Sequence, residues 1–140
     1  MLRALTAIAA AAACLSGTAA AAQGADTLPN SGLKWREMIP DVVYFAPANG
    51  DWEKGAHAKF ARVQPGATVP MHIHKQPYHA VLISGKLTNL LDSAATRVEL
   101  APGDYWFMAG GRAHGHVCTS PKPCLVYTHS DGAWDLALVE

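Results

Sequence analysis

Histidines at positions 72 and 74, with a third at 114, are the residues whose type and spacing point most clearly to chemistry. Residues i and i+2 of a β-strand share a face, so both imidazoles of His72-Ile73-His74 aim at one spot. A later strand carrying His114 would complete a three-nitrogen site. Neutral imidazoles suit a divalent transition metal, Fe, Mn, Ni, Cu or Zn, rather than Mg or Ca. An ion with three protein ligands keeps positions open for a small organic substrate and for dioxygen or water. It can then act as a Lewis acid or activate a water molecule. The other histidines have weaker claims. His116 reads as a support or surface residue two positions beyond His114, and His57 and His129 read as pocket lining or surface.

The elements that must hold these side chains are strands. Val42-Val43-Tyr44-Phe45 is a β-branched and aromatic run, and His57 to Val63 alternates in part before Pro65-Gly66. Tyr78 to Ser84 ends at Gly85, Lys86 to Leu91 continues beyond it, and Thr96 to Leu100 alternates before Pro102-Gly103. Tyr105-Trp106-Phe107-Met108 reads as a bulky strand contributing to the core, with further strands at Leu125 to Thr128 and Asp135 to Val139. Beyond the leader, no stretch of ten residues holds a helical period. Short strands punctuated by Gly and Pro predict an all-β sandwich or barrel.

The chain is 140 residues long, with 11 basic and 11 acidic residues. Its charge gives no case for nucleic acid or an anionic membrane as partner. Met1-Leu2-Arg3, the apolar run Leu5 to Leu15 and Ala20-Ala21-Ala22 form the pattern of a secretory signal peptide, residues 1–22. The run is too short to span a bilayer, so no membrane span is expected after cleavage, and the mature protein is expected to be periplasmic or secreted. Lipidation at Cys14 is the alternative, without the usual aliphatic residue three positions earlier. Cleavage leaves Cys118 and Cys124, which read as a disulfide in an oxidising compartment. A zinc cluster with His114 and His116 is the rival reading. Residues 23–55 are expected to form a lead-in and first strands, and 56–140 the barrel.

Gly66, five residues and His72-Ile73-His74, followed by Gly85, resemble the first motif of the cupin superfamily. Gly103, five residues, Ala109, then Gly111 and His114 resemble its second motif. The likeness covers roughly residues 56 to 130 and implies a single jelly-roll barrel, the double-stranded β-helix. Gly50-Asp51, Lys54-Gly55, Pro102-Gly103-Asp104-Tyr105-Trp106 and Trp134-Asp135 resemble small exported single-domain cupins of the DUF4437-like type. The resemblance also implies a metal and pairing into a homodimer through sheet surfaces.

Three positions depart from the family pattern. The usual glutamate ligand is replaced by Tyr78 or His79: spacing from His74 permits either, and spacing back from Gly85 selects Tyr78. Imidazole is the better neutral ligand, because a phenol must lose a proton to bind. His79 is therefore expected as a fourth ligand beside His72, His74 and His114, with Tyr78 as the alternative. Ala109 replaces a proline, and Cys118 an asparagine. No Ser/His/Asp or Cys/His catalytic grouping and no obvious general base accompany the site; Tyr78, His79 and His116 are the candidates for that role. The functional expectation is a metal-binding cupin, dioxygenase- or isomerase-like, acting on a small molecule. The alternatives are a non-catalytic module for a metal or small ligand, and a metal-free structural barrel.

Overall fold

The computed structural model describes residues 27–139. The expected signal peptide and Cys14 lie outside that range. Among the described residues no helix is long and apolar enough to cross a membrane. A single 3-10 turn, Asn30–Gly32, precedes the strands. These are β1 Arg36–Ile39, β2 Val43–Gly50, β3 His57–Val63, β4 Thr68–Ile73, β5 Tyr78–Ser84 and β6 Leu87–Leu91. β7 Ser93–Leu100, β8 Tyr105–Met108, β9 His114–Cys118, β10 Cys124–Ser130 and β11 Ala137–Leu138 follow.

They form two antiparallel sheets, one ordered β1-β2-β3-β10-β5-β8 and the other β11-β4-β9-β6-β7. From β3 onward the chain passes back and forth between the sheets, apart from the β6–β7 hairpin, as in a jelly-roll barrel. Strands β1 and β2 are continuous with the larger sheet, with Phe45 opposite Ala61 and Val43 opposite Val63. Val43, Phe45, Val69, Leu82, Leu87 and Val126 fill the space between the sheets. Phe45 meets Trp52 and Trp134 edge-on, with ring centres 6.1 and 5.3 Å apart. That geometry is favoured by aromatic quadrupoles.

Cys118 and Cys124 are bridged, with Cα atoms 5.8 Å apart. The bridge joins the end of β9 in one sheet to the start of β10 in the other, and both residues are fully buried. Gly85 makes the turn between β5 and β6 at φ +92°, where a Cβ would lie 2.9 Å from the Cys124 Cα. Only glycine adopts this backbone without strain and leaves room for the disulfide.

Strand β8 departs from the sequence expectation. Trp106 and Met108 face inward, whereas Tyr105 and Phe107 are 57% and 49% exposed on the outer surface. Simple alternation outweighs the bulk of the side chains here.

Candidate metal centre and its cavity

His72 and His114 are cross-strand partners on β4 and β9. The β4–β9 register slips between Val69 and His72. This bulge lets residues three apart, Val69 and His72, both line the interior. His74 lies one residue past β4. One potential ligand nitrogen from each of His72, His74 and His114 lies within 4.8 Å of the others, and all three residues are buried.

The hydrogen bonds of the opposite ring nitrogens determine what these imidazoles offer. His72 Nδ1 lies 2.7 Å from the Pro70 carbonyl, His114 Nδ1 lies 2.9 Å from the Arg112 carbonyl, and His74 Nδ1 meets the Asp135 carbonyl. A carbonyl only accepts, so each Nδ1 carries the proton and donates. Each Nε2 of a neutral ring is then a bare lone pair. Two of these, on His72 and His74, face each other at 3.1 Å. The third, His114 Nε2, is buried without a hydrogen-bond partner among the described residues. Burial pushes the His74 imidazole down to about 4 and that of His114 to about 3, with neighbouring imidazoles adding to both. His72 is lowered for the same first reason, opposed by its bond to Pro70. Protonation therefore does not relieve the converging lone pairs at neutral pH. A cation bound by all three would, and backbone carbonyls behind the rings are a common support for metal-bound histidine.

Tyr78 and His79 take opposite faces of β5. Tyr78 points inward, its ring centre 5.5 Å from that of His74 and 5.7 Å from that of His114. Its hydroxyl lies 3.5 Å from both Trp106 Nε1 and His116 Nε2, and burial drives the phenol well above its ordinary pKa. A neutral phenol is a hydrogen-bond donor rather than an anionic ligand. His79 is exposed on the outer surface, where its Nδ1 bonds the Tyr105 hydroxyl at 2.7 Å and its ring leans on Phe107. The expected fourth ligand is thus not brought to the trio, because the pleat turns it outward. His129 lies on the same outer face, its ring centre 6.4 Å from that of His79.

His116 does line the interior. Its Nδ1 donates to Asn89 Oδ1 at 2.7 Å, across the register pair that joins β6 and β9. Its Nε2 therefore faces the cavity as another lone pair. Burial, then the charges available to His114, His72 and His74, hold it well below the ordinary imidazole value. The interior is a cavity of about 90 Å³, walled by apolar residues such as Val43, Phe45 and Val126.

Residues 59–130 match the model of the Cupin domain. The chain belongs to the cupin family. Similar folds occur in the polyketide cyclase RemF from Streptomyces resistomycificus, at TM-score 0.69 and 16% identity, covering 83% of this cupin and 86% of that chain. KdgF from Halomonas sp. aligns at TM-score 0.62 and 18% identity, over 74% of this cupin and 93% of that chain. An RmlC-like cupin from Shewanella frigidimarina aligns at TM-score 0.62 and 20% identity, over 79% and 94%. At such identities the likeness speaks for the fold alone. No curated protein sequence matches this cupin.

Lys59 is the site residue that sequence reasoning missed. It lines the same cavity as His72 and His74, yet is only 4% exposed. His57, on the same face of β3, has Nδ1 3.0 and 3.1 Å from the carbonyls of Gly55 and Gly132. His57 Nδ1 is therefore the donor, and its Nε2 accepts from Lys59 Nζ at 2.9 Å. The available signal was parity: residues 57, 59, 61 and 63 share one face, and Ala61 and Val63 are plainly core.

Proposed function

We propose that this cupin holds a divalent transition metal on His72, His74 and His114 and uses it on a small organic molecule bound in the barrel. The observation that carries this reading is the convergence of three Nε2 lone pairs with no donor among the described residues. The bound ion would supply Lewis acidity toward a carbonyl, enol or carboxylate oxygen, or toward water. The chain's own residues would do the rest. The Tyr78 hydroxyl can donate to a ligand oxygen, and His116 Nε2 can accept a proton from one. Trp106 and the apolar walls restrict entry of water. An isomerase- or dioxygenase-like reaction fits such a set.

The grouping of ligands contains no carboxylate, and this favours a second reading, a binding module without turnover. Metal content and turnover separate them. Protein purified without affinity tags that chelate metal is expected to hold one equivalent of metal by elemental analysis, and His72→Ala plus His114→Ala to hold none. Wild-type protein that stays metal-free under every loading condition overturns the metal-dependent reading and leaves only a module for a small ligand or a structural barrel. With metal bound, zero turnover across diketones, catechols and hydroxy acids leaves the binding module.

We also propose export, on the pattern of residues 1–22 and the Cys118–Cys124 bridge. An intact mass beginning at Gln23 is the expected result, and a mass retaining Met1 in the exported fraction refutes the cleavage site.

A further inference from the structure

Lys59 places a buried amine in the cavity wall, and no carboxylate among the described residues lies within salt-bridge distance of it. An ammonium has three N–H donors. One goes to His57 Nε2 at 2.9 Å, the only hydrogen bond of Nζ among the described residues. The remaining two have no hydrogen-bond acceptor among the described residues, and Nζ lies 4.9 Å from the ring centre of Phe45 and 5.8 Å from that of Trp134. Trp134 is also 5.8 Å, centre to centre, from the His74 ring. One indole therefore neighbours both the ammonium and the His74 ring, and Lys59, Trp134, His72 and His74 border the same cavity. The single acidic residue on that border, Asp135, is engaged elsewhere: its Oδ1 accepts from the Lys75 backbone N–H at 2.9 Å.

We propose that Lys59, held by His57, anchors the carboxylate of a small organic acid whose other end reaches toward His72, His74 and His114. The inference deepens the reading of that trio as a metal centre, because it names the class of molecule that would be presented to it. The cavity volume of about 90 Å³, at roughly 10–15 Å³ per water-sized occupant, admits a molecule of about six to nine heavy atoms. An incoming carboxylate supplies the acceptor that the buried ammonium lacks, and a charge-assisted bond is among the stronger polar contacts. Burial pushes the amine down to about 7, so an anion beside it also restores the charged form. His57 fixes the direction of Nζ through its Gly55 and Gly132 anchors, so the site is ordered before any ligand arrives.

The test compares acetate, propionate and glycolate with their amides by ligand-observed NMR, using metal-loaded and chelator-treated protein. Wild-type protein is expected to prefer each acid over its amide at least tenfold. Lys59→Met should reduce that preference to within about twofold while leaving metal content unchanged, and Lys59→Gln provides the same comparison in a polar replacement. Equal preference in wild type and both variants overturns the proposal, as does the absence of acid binding by wild-type protein. A Lys59-dependent preference in a protein that never takes up metal upholds the anchor and refutes the metal centre. A stoichiometric metal without a Lys59-dependent preference does the reverse.

Discussion

Replacing Lys59 by methionine should stabilise the protein at neutral pH and cease to do so in alkali. The amine is lowered from 10.5 to about 7 by burial, and such a difference corresponds to about 5 kcal/mol against the charged form in the fold. The unfolded chain holds the extra proton between pH 7 and 10.5, so stability rises with pH across that window. Below about pH 7 both states are protonated, and the whole penalty is present. Methionine removes the penalty but strips His57 Nε2 of its only donor, a loss of about 1–3 kcal/mol. The variant should therefore be more stable by about 2–4 kcal/mol at pH 7, and equal or slightly less stable at pH 10. Urea unfolding at both pH values, with the disulfide intact, reads this as a midpoint advantage of about 1–2 M that vanishes, for a slope of roughly 1–3 kcal/mol per molar. Only the difference between the two proteins is used, so ionisations common to both cancel. A variant less stable at pH 7, or an advantage that does not change with pH, refutes the picture of a buried, poorly compensated amine.

Three further outcomes are expected. His114→Ala should weaken metal binding at least 100-fold in competition with a chelator, whereas His79→Ala, on the outer face, should change it less than twofold; a large effect of His79→Ala would restore it as a ligand. Removing both Cys118 and Cys124 should cost about 2 kcal/mol in denaturant unfolding, as expected for so short a closed loop, and an unchanged midpoint contradicts this. Gly85→Ala should lower stability by at least about 2 kcal/mol, because a Cβ at φ +92° meets Cys124 and the left-handed region is itself unfavourable for alanine; thermal melts without loss refute it.

The strands and the barrel were legible because hydrophobic and β-branched runs ended at Gly and Pro. His72, His74 and His114 were legible because their spacing matches a motif that places them on neighbouring strands. His79 was chosen on ligand chemistry, but the pleat decides which neighbour faces in. The interval back from Gly85 carried that information in favour of Tyr78. Tyr105 and Phe107 were misjudged in the same way, by side-chain character against parity. Lys59 was hard to see because a lysine in a strand ordinarily marks the solvent face. Its burial depends on β2 and β10 flanking β3 and on Trp134 covering it from a distant segment, and none of that is local in sequence.

The Asp135 carbonyl that orients His74 has a bearing on when the site comes into being. It belongs to the segment that runs into β11, where Ala137 and Leu138 pair with Ile73 and His72, and it stands 61 residues along the chain from the ring it holds. Contacts so remote in sequence carry a high loop-closure cost. The His72–His114 pair can assemble once β4 and β9 meet, but the third imidazole gains its fixed tautomer only after β11 docks. A chain in which β11 has not docked therefore lacks the oriented third imidazole, and uptake of an ion by the proposed centre would report on that docking.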